Sequence, residues 1–282
     1  MGAEMLLAWG RDRLKVPTTI ISSGQLPAWA NKDTLVVVTS YSGTTIEAIA
    51  LAKEAHSRGC KLFIITRGGE LSKIARRHHV PSYIFDDMRT NPSGQPRMGV
   101  GITFTALLGA LSRLGFLALT EKELAQAIGR MGPIRPITAL ARQLRNKIPL
   151  LVAAEHLSGN LVAFRNQVHE NAKQFAVLDT LPELNHHLLE GLAHPKATRE
   201  LVAVFLRSRR YSASTKRRFD VTRDIIRKQG IAVIDLPITG SSTLAEVFAC
   251  LQLGSATTLA LANLNGVDPA KIPWVDYLKK HI

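Results

Sequence analysis

Residues 34–55, "TLVVVTSYSGTTIEAIALAKEA", change character twice within one short segment. The segment opens as an unbroken apolar run rich in β-branched valine, the pattern of a strand buried on both faces. From Ile46 to about Ser57 it reads as a helix. Between the two lie Ser40, Ser42, Thr44 and Thr45 around a single glycine, Gly43. Strand, hydroxyl-rich turn and helix in immediate succession predict one step of a parallel α/β sheet. In that architecture ligands bind where strands end and helices begin.

The same grammar continues along the chain. "CKLFIIT" reads as a strand, "LSKIARRHHV" as a helix and "SYIFDD" as extended chain. The Pro/Gly loop "RTNPSGQPR" then opens a long apolar helix, and a further helix lies near 121–131. "GPIRP", residues 132–136, is a breaker suited to a domain junction. Beyond it "PLLVAA" is a strand, "SGNLVAFRNQVHENAK" a helix, "ELVAVFL" a strand and "IAVIDLP" another, with a basic helix between the last two. The units 35–66 and 201–236 share strand, polar turn, helix and strand. Alternation of this kind predicts two doubly wound parallel-sheet domains of three αβα layers, 1–132 and 133–282.

Composition narrows the function classes. The 282 residues are 46% apolar and 21% charged, as in a soluble globular protein. The two cysteines, Cys60 and Cys250, stand far apart with no CxxC or Cys/His cluster, so they predict buried free thiols and neither a disulfide nor a zinc site. The start, "MGAEMLLAWGRDRLK", carries charge too early for a signal peptide, and Arg113 interrupts the longest apolar stretch. A cytoplasmic protein without a membrane partner is expected. The net charge of +14 concentrates in residues 207–230. There Phe219, Ile225 and Ile226, with Val221 near them, fit the inner face of an amphipathic helix whose outer face carries Arg217, Arg218 and Arg227. Without an aromatic RNA-binding pair, a zinc finger or a helix-turn-helix, this run reads as a solvated face and no nucleic-acid partner is expected.

The hydroxyl turn has a chemistry of its own. Backbone N–H groups at a helix start, the positive end of its dipole and several hydroxyl donors together suit a phosphate. A duller reading also fits: Thr44 and Glu47 are spaced as a capping box, and Ser42 is an equally good cap. No lysine follows as in a P-loop, which argues against nucleotide hydrolysis.

"VVVTSYSGTTIEAI" resembles the core signature of the sugar isomerase (SIS) domain. In the second half, "NQVHENAKQFAVLDTLPELNHHLLEGL" and the closing "LNGVDPAKIPWVDYLKKHI" resemble the bifunctional phosphoglucose/phosphomannose isomerases. The resemblance covers essentially the whole chain, and its "HENAK…PELNHH" part is the more specific. It implies that Ser40, Ser42 and Thr45 hold the phosphate of a sugar phosphate. It also places the catalytic glutamate on Glu170, the histidine on His186, the lysine on Lys279 and the arginine on Arg97.

The implied reaction is aldose–ketose isomerisation of glucose 6-phosphate, with mannose 6-phosphate as a second substrate, to fructose 6-phosphate, without metal or other cofactor. The family also implies a homodimer with shared sites. Taken singly, Glu170, His186 and Lys279 equally suit solvated surface or helix-end positions, and Glu155 and His156 lie past a strand without an assigned role. One departure stands out. In the family a first strand and a loop resembling "GxGGSG" precede the helix that here reads "AEMLLAWG". The chain is therefore expected to show part of the phosphate-binding surface absent and a sheet that has lost a strand, with an unpaired neighbour or edge. The alternative reading is a non-catalytic sugar-phosphate-binding module or an inactive, truncated isomerase.

Overall fold

The apolar run after Thr34 forms strand β1 in the computed structural model, which describes residues 1–129, 131–132 and 137–281. The chain divides into two compact units: Leu14–Ala118 with Gly2, and Ala3–Arg13 with Met1 and Leu119–Ile282. Elements in chain order are α1 (Gly2–Gly10), β1 (Leu35–Ser40), α2 (Ile46–Ser57), β2 (Lys61–Thr66), α3 (Gly69–Arg77), β3 (Ser82–Ile84), α4 (Asp87–Thr90), α5 (Val100–Arg113) and α6 (Glu121–Gly129). They continue with α7 (Thr138–Leu144), β4 (Ile148–Ala153), α8 (Ser158–Ala172), β5 (Val177–Thr180), α9 (Leu184–Gly191), β6 (Leu201–Ser208), α10 (Ala213–Lys228), β7 (Ala232–Ile238), α11 (Thr243–Leu264) and α12 (Pro273–His281). The strands and helices that the alternation predicts fall close to their expected places, whereas β5, α7, α9 and α11 lie in stretches it leaves unassigned. Except for Gly132, the breaker at 132–136 lies outside the described residues.

In the 14–118 unit, β1, β2 and β3 form a parallel sheet in that order, β1 at one edge, with Ser40 registered against Thr66. Its core is made by Val38, Leu62 and Ile64 of the sheet with Leu51, Ala52 and Ala55 of α2 and Leu71 and Ile74 of α3. The apolar positions of α2 thus serve the sheet, while its hydroxyl-rich start stays at the surface.

The other unit holds a parallel sheet of order β5-β4-β6-β7. The chain leaves β4 toward one edge and β6 toward the other. The order reverses between β4 and β6, and their carboxyl ends flank the crevice where such sheets bind ligands. Helix α11 is long and apolar enough by length and composition to cross a membrane, yet 56% of its apolar window is buried inside the protein. A row of polar contacts ties it to α8: Gln167 donates to Ser255 (2.9 Å), Asn171 to Thr258 (3.0 Å) and Asn160 to the Val247 carbonyl (2.9 Å).

Helix α10 carries the basic run. Phe219, Thr222 and Ile226 are its buried stripe. Val221, expected near the inner face, is 52% exposed, because it falls off the i, i+3, i+7 line those three residues set. Cys60 and Cys250 are buried free thiols, and burial, with Glu246 nearby, pushes the Cys250 thiol up to about 12.

Candidate active site

The hydroxyl turn is built by pairing its side chains with one another. Ser40 Oγ accepts the Gly43 N–H (3.2 Å) and shares a hydrogen bond with Thr45 Oγ1 (2.9 Å). Ser42 Oγ accepts the Thr44 N–H (3.3 Å) and pairs with Thr44 Oγ1 (2.9 Å). The N-cap of α2 is Thr45, not Thr44, and its side chain caps nothing, being turned to Ser40. The capping-box alternative is therefore not realised. Among the described residues no side chain caps α2, and Thr44, Thr45, Ile46 and Glu47 are exposed, so the positive end of the helix faces outward.

Gly43 makes this geometry possible. It has φ +69°, and a Cβ there would lie 1.9 Å from the Gly68 carbonyl oxygen, so no side chain fits. The Leu71 N–H in turn donates to the Gly43 carbonyl (3.0 Å), locking the turn onto the start of α3.

Arg97 belongs to the same unit and is 1% exposed. Its Nη1 donates to Gln95 Oε1 (2.9 Å). The loop before it is tied to the turn through Asn91, whose Nδ2 donates to the Tyr41 hydroxyl (2.8 Å) and to the Gln95 carbonyl (2.8 Å). Gly99 lies so close to the Tyr41 ring that a Cβ would come within 2.2 Å of it. Tyr41 sits between Ser40 and Ser42 in sequence, so this packing ties the Arg97 segment to the side chain of that residue.

Glu170, His186 and Lys279 belong to the other unit and stand on separate helices. Glu170 is half-buried in the last turn of α8, His186 is exposed in the first turn of α9, and Lys279 is exposed in the last turn of α12. None of the described hydrogen bonds links one of the three to another. Lys173, whose role the sequence left unread, ties the Glu170 helix down. In the left-handed position after α8 (φ +53°), its Nζ donates to the carbonyls of Glu170 (2.6 Å) and Asp268 (2.9 Å). The ammonium meets the negative end of α8 and pins it to the segment leading into α12. A groove of about 480 Å³ runs between α9 and α10, lined by Asn185, Arg217, Arg218 and Thr222 over apolar Leu189 and Ile225. His186 is not among the residues lining it, though its neighbour Asn185 is.

At the carboxyl ends of β4 and β6 lies a second polar cluster, which sequence reading could only point toward. Buried Glu246 accepts from Ser208 Oγ (2.6 Å) and shares a hydrogen bond with His156 Nε2 (2.8 Å), and Arg210 Nε lies 3.4 Å away. Glu155 accepts the Ser212 N–H with both carboxylate oxygens (3.0 and 3.3 Å). The signal was the position of Glu155 and His156 just past a strand; their partners lie about fifty to ninety residues on in the sequence.

Comparison with known proteins follows the same lines. Residues 135–282 match the family model of the bacterial phospho-glucose isomerase C-terminal SIS domain. A bifunctional phosphoglucose/phosphomannose isomerase of Caldicellulosiruptor bescii is 28% identical over 297 residues, covering 100% of this chain and 86% of the relative. Another, from Aquifex aeolicus, is 26% identical over 271 residues, covering 94% of this chain and 81% of the relative. Among solved structures, glucosamine-6-phosphate deaminase from Thermotoga maritima superposes with a TM-score of 0.63 at 13% identity, over 96% of this chain and 78% of that one. This last likeness concerns the fold, an α/β architecture with parallel sheets.

Proposed function

The chain belongs to the family of the bacterial phospho-glucose isomerase C-terminal SIS domain, and from that membership we propose that it is a sugar-phosphate aldose–ketose isomerase. It converts glucose 6-phosphate, and also mannose 6-phosphate, into fructose 6-phosphate and back. On this reading both halves, 1–132 and 133–282, are SIS-type domains and the working form is a cytoplasmic homodimer that shares its sites. The observation that carries the reading is the Ser40–Thr45 turn. Its hydroxyls bond one another instead of capping α2, which leaves helix amides and hydroxyls for an incoming phosphate.

The proposed chemistry needs no cofactor. For ring opening, a proton leaves O1, the C1=O bond forms, the C1–O5 pair moves to O5, and O5 takes up a proton. His186 and Lys279 are assigned to these transfers, since an imidazole and an amine can each give and take a proton. Glu170 then removes the C2 proton, giving an enediol(ate) with its negative charge on O1; a proton passes from O2 to O1, and Glu170 returns its proton at C1 as the C2=O bond forms. Arg97, permanently charged, offsets the negative oxygen of that intermediate.

A coupled assay for fructose 6-phosphate formation tests the proposal on the parent and on Glu170→Gln. The substitution keeps size and hydrogen bonding while removing the base. Isomerisation is expected to fall by at least about a hundredfold with the Michaelis constant largely kept. Turnover of Glu170→Gln within a few-fold of the parent would refute the role of Glu170. No turnover by the parent, with sugar-phosphate stabilisation retained, would leave a non-catalytic binding module as the reading.

A further inference from the structure

The hydroxyl turn occurs twice in this chain, and the two copies differ in one respect. "YSGTT", Tyr41–Thr45, follows β1; "YSAST", Tyr211–Thr215, follows β6. Both lead into a long helix, and both tyrosines are buried, their hydroxyls bonded to neighbouring segments. The second copy stands at the more favoured position for a ligand, beside the β4/β6 reversal of its sheet. It is also the more basic in sequence: Arg209, Arg210, Lys216, Arg217 and Arg218 flank it, and the next acidic residue along the chain is Asp220. By charge and place this turn calls for an anion.

The chain supplies one of its own. Glu155, just past β4, lays both carboxylate oxygens on the Ser212 N–H, and the Thr215 side chain also bonds to it. To do so it holds φ +46°, a left-handed backbone that a glutamate rarely adopts. Ser212 caps α10 in the ordinary way, accepting the Thr215 N–H (3.2 Å), whereas Thr45 leaves α2 uncapped. Partial burial pushes the Glu155 carboxyl up, but the bonds from Thr215 and Ser212 outweigh this and hold it below its ordinary value.

We propose that Glu155 is a built-in anion that fills and closes the second hydroxyl turn, so that each chain retains one turn open to phosphate. The part that names the open turn rests on the function proposed above; the closure by Glu155 does not. Because Glu155 is exposed and lies at the mouth of the crevice, a phosphate dianion is the group whose place it takes.

Titration with inorganic phosphate tests this, with chloride at equal ionic strength as control. Glu155→Gly removes the carboxylate and suits the positive φ, so the fold is spared the strain. The variant is expected to bind one phosphate equivalent more per chain than the parent, and phosphate should raise its unfolding midpoint more. Glu155→Asn is the second variant: it tolerates the same backbone, and its shorter neutral side chain leaves the amides open. Both are repeated with Ser42→Ala and Thr45→Ala in place, and the added equivalent should persist. A parent that binds none beside a variant that binds one upholds the closure and removes the open-turn reading. Equal phosphate binding by the parent and both variants overturns the closure.

Discussion

At the scale of single residues, the hydroxyls of the first turn forgo an available local use. Thr45 stands at the N-cap of α2, where a threonine ordinarily stabilises a helix by about 0.5–2 kcal/mol, yet its oxygen is spent on Ser40. Replacing Ser40 by Ala frees Thr45 to cap the helix, while the Gly43 N–H loses its acceptor. The two changes oppose each other, so the unfolding midpoint should move little. Sugar-phosphate binding should weaken instead, by about 1–3 kcal/mol for each hydroxyl lost, as should follow for Ser42→Ala and Thr45→Ala. Measuring midpoint and Michaelis constant together separates the readings: a lowered midpoint with an unchanged Michaelis constant would make these residues merely structural. That hydroxyls gather on this turn is plain in "TSYSGTT". That they bond each other, and that Thr45 rather than Thr44 is the cap, is decided by a contact across the turn and by a carbonyl 25 residues away that forbids a Cβ at Gly43.

At the scale of elements, the apolar rhythm of the strands other than β5, and of α2, α8 and α10, was enough to locate them, because each packs its periodic face against a sheet of its own unit. What the rhythm does not report is how elements meet at their ends. Glu155 reaches the start of α10 across 57 residues of sequence, and its left-handed backbone breaks the local rule that would reserve such a position for glycine. The consequence is an acid-sensitive joint. The Glu155 carboxyl is held below its ordinary value, so the folded chain binds fewer protons than the unfolded one between the two values. The joint's contribution is therefore fully present above the unfolded value, near pH 4.5, and is lost as pH falls through the lowered folded value. Comparing acid-unfolding curves of the parent and Glu155→Gly should show the parent's extra stability fading over that window. Parallel curves throughout would mean that the carboxylate contributes nothing to holding α10.

At the scale of the whole molecule, the first helix of the chain belongs to the unit built mostly from residues 119–282. Nothing in "AEMLLAWG" announces this; an amphipathic pattern states that a face is buried and not against what. The partner is visible only in three dimensions. Met5, Leu6 and Trp9 are buried, and the Trp9 indole N–H donates to Thr243 at the start of α11 (3.1 Å). At the start of α8, Gly159 lets the α1 backbone come so near that an added Cβ would lie 2.2 Å from the Glu4 carbonyl oxygen and 2.6 Å from Met5 Cα. Both obstacles are backbone, so no side-chain rotation relieves them. Gly159→Ala should therefore push α1 off α8, with an overpacking cost of about 1–3 kcal/mol and the burial of Met5, Leu6 and Trp9 lost in part. Alanine is the better helix former, so a residue chosen on helix propensity alone would be expected to stabilise α8. The opposite result is predicted here. Hydrogen exchange should show faster exchange at the amides of α1 and of the first turn of α8, read against those of β1 and β2 as an internal reference. Unchanged protection of α1 in Gly159→Ala would mean that the close approach of the two backbones does not hold the first helix in place.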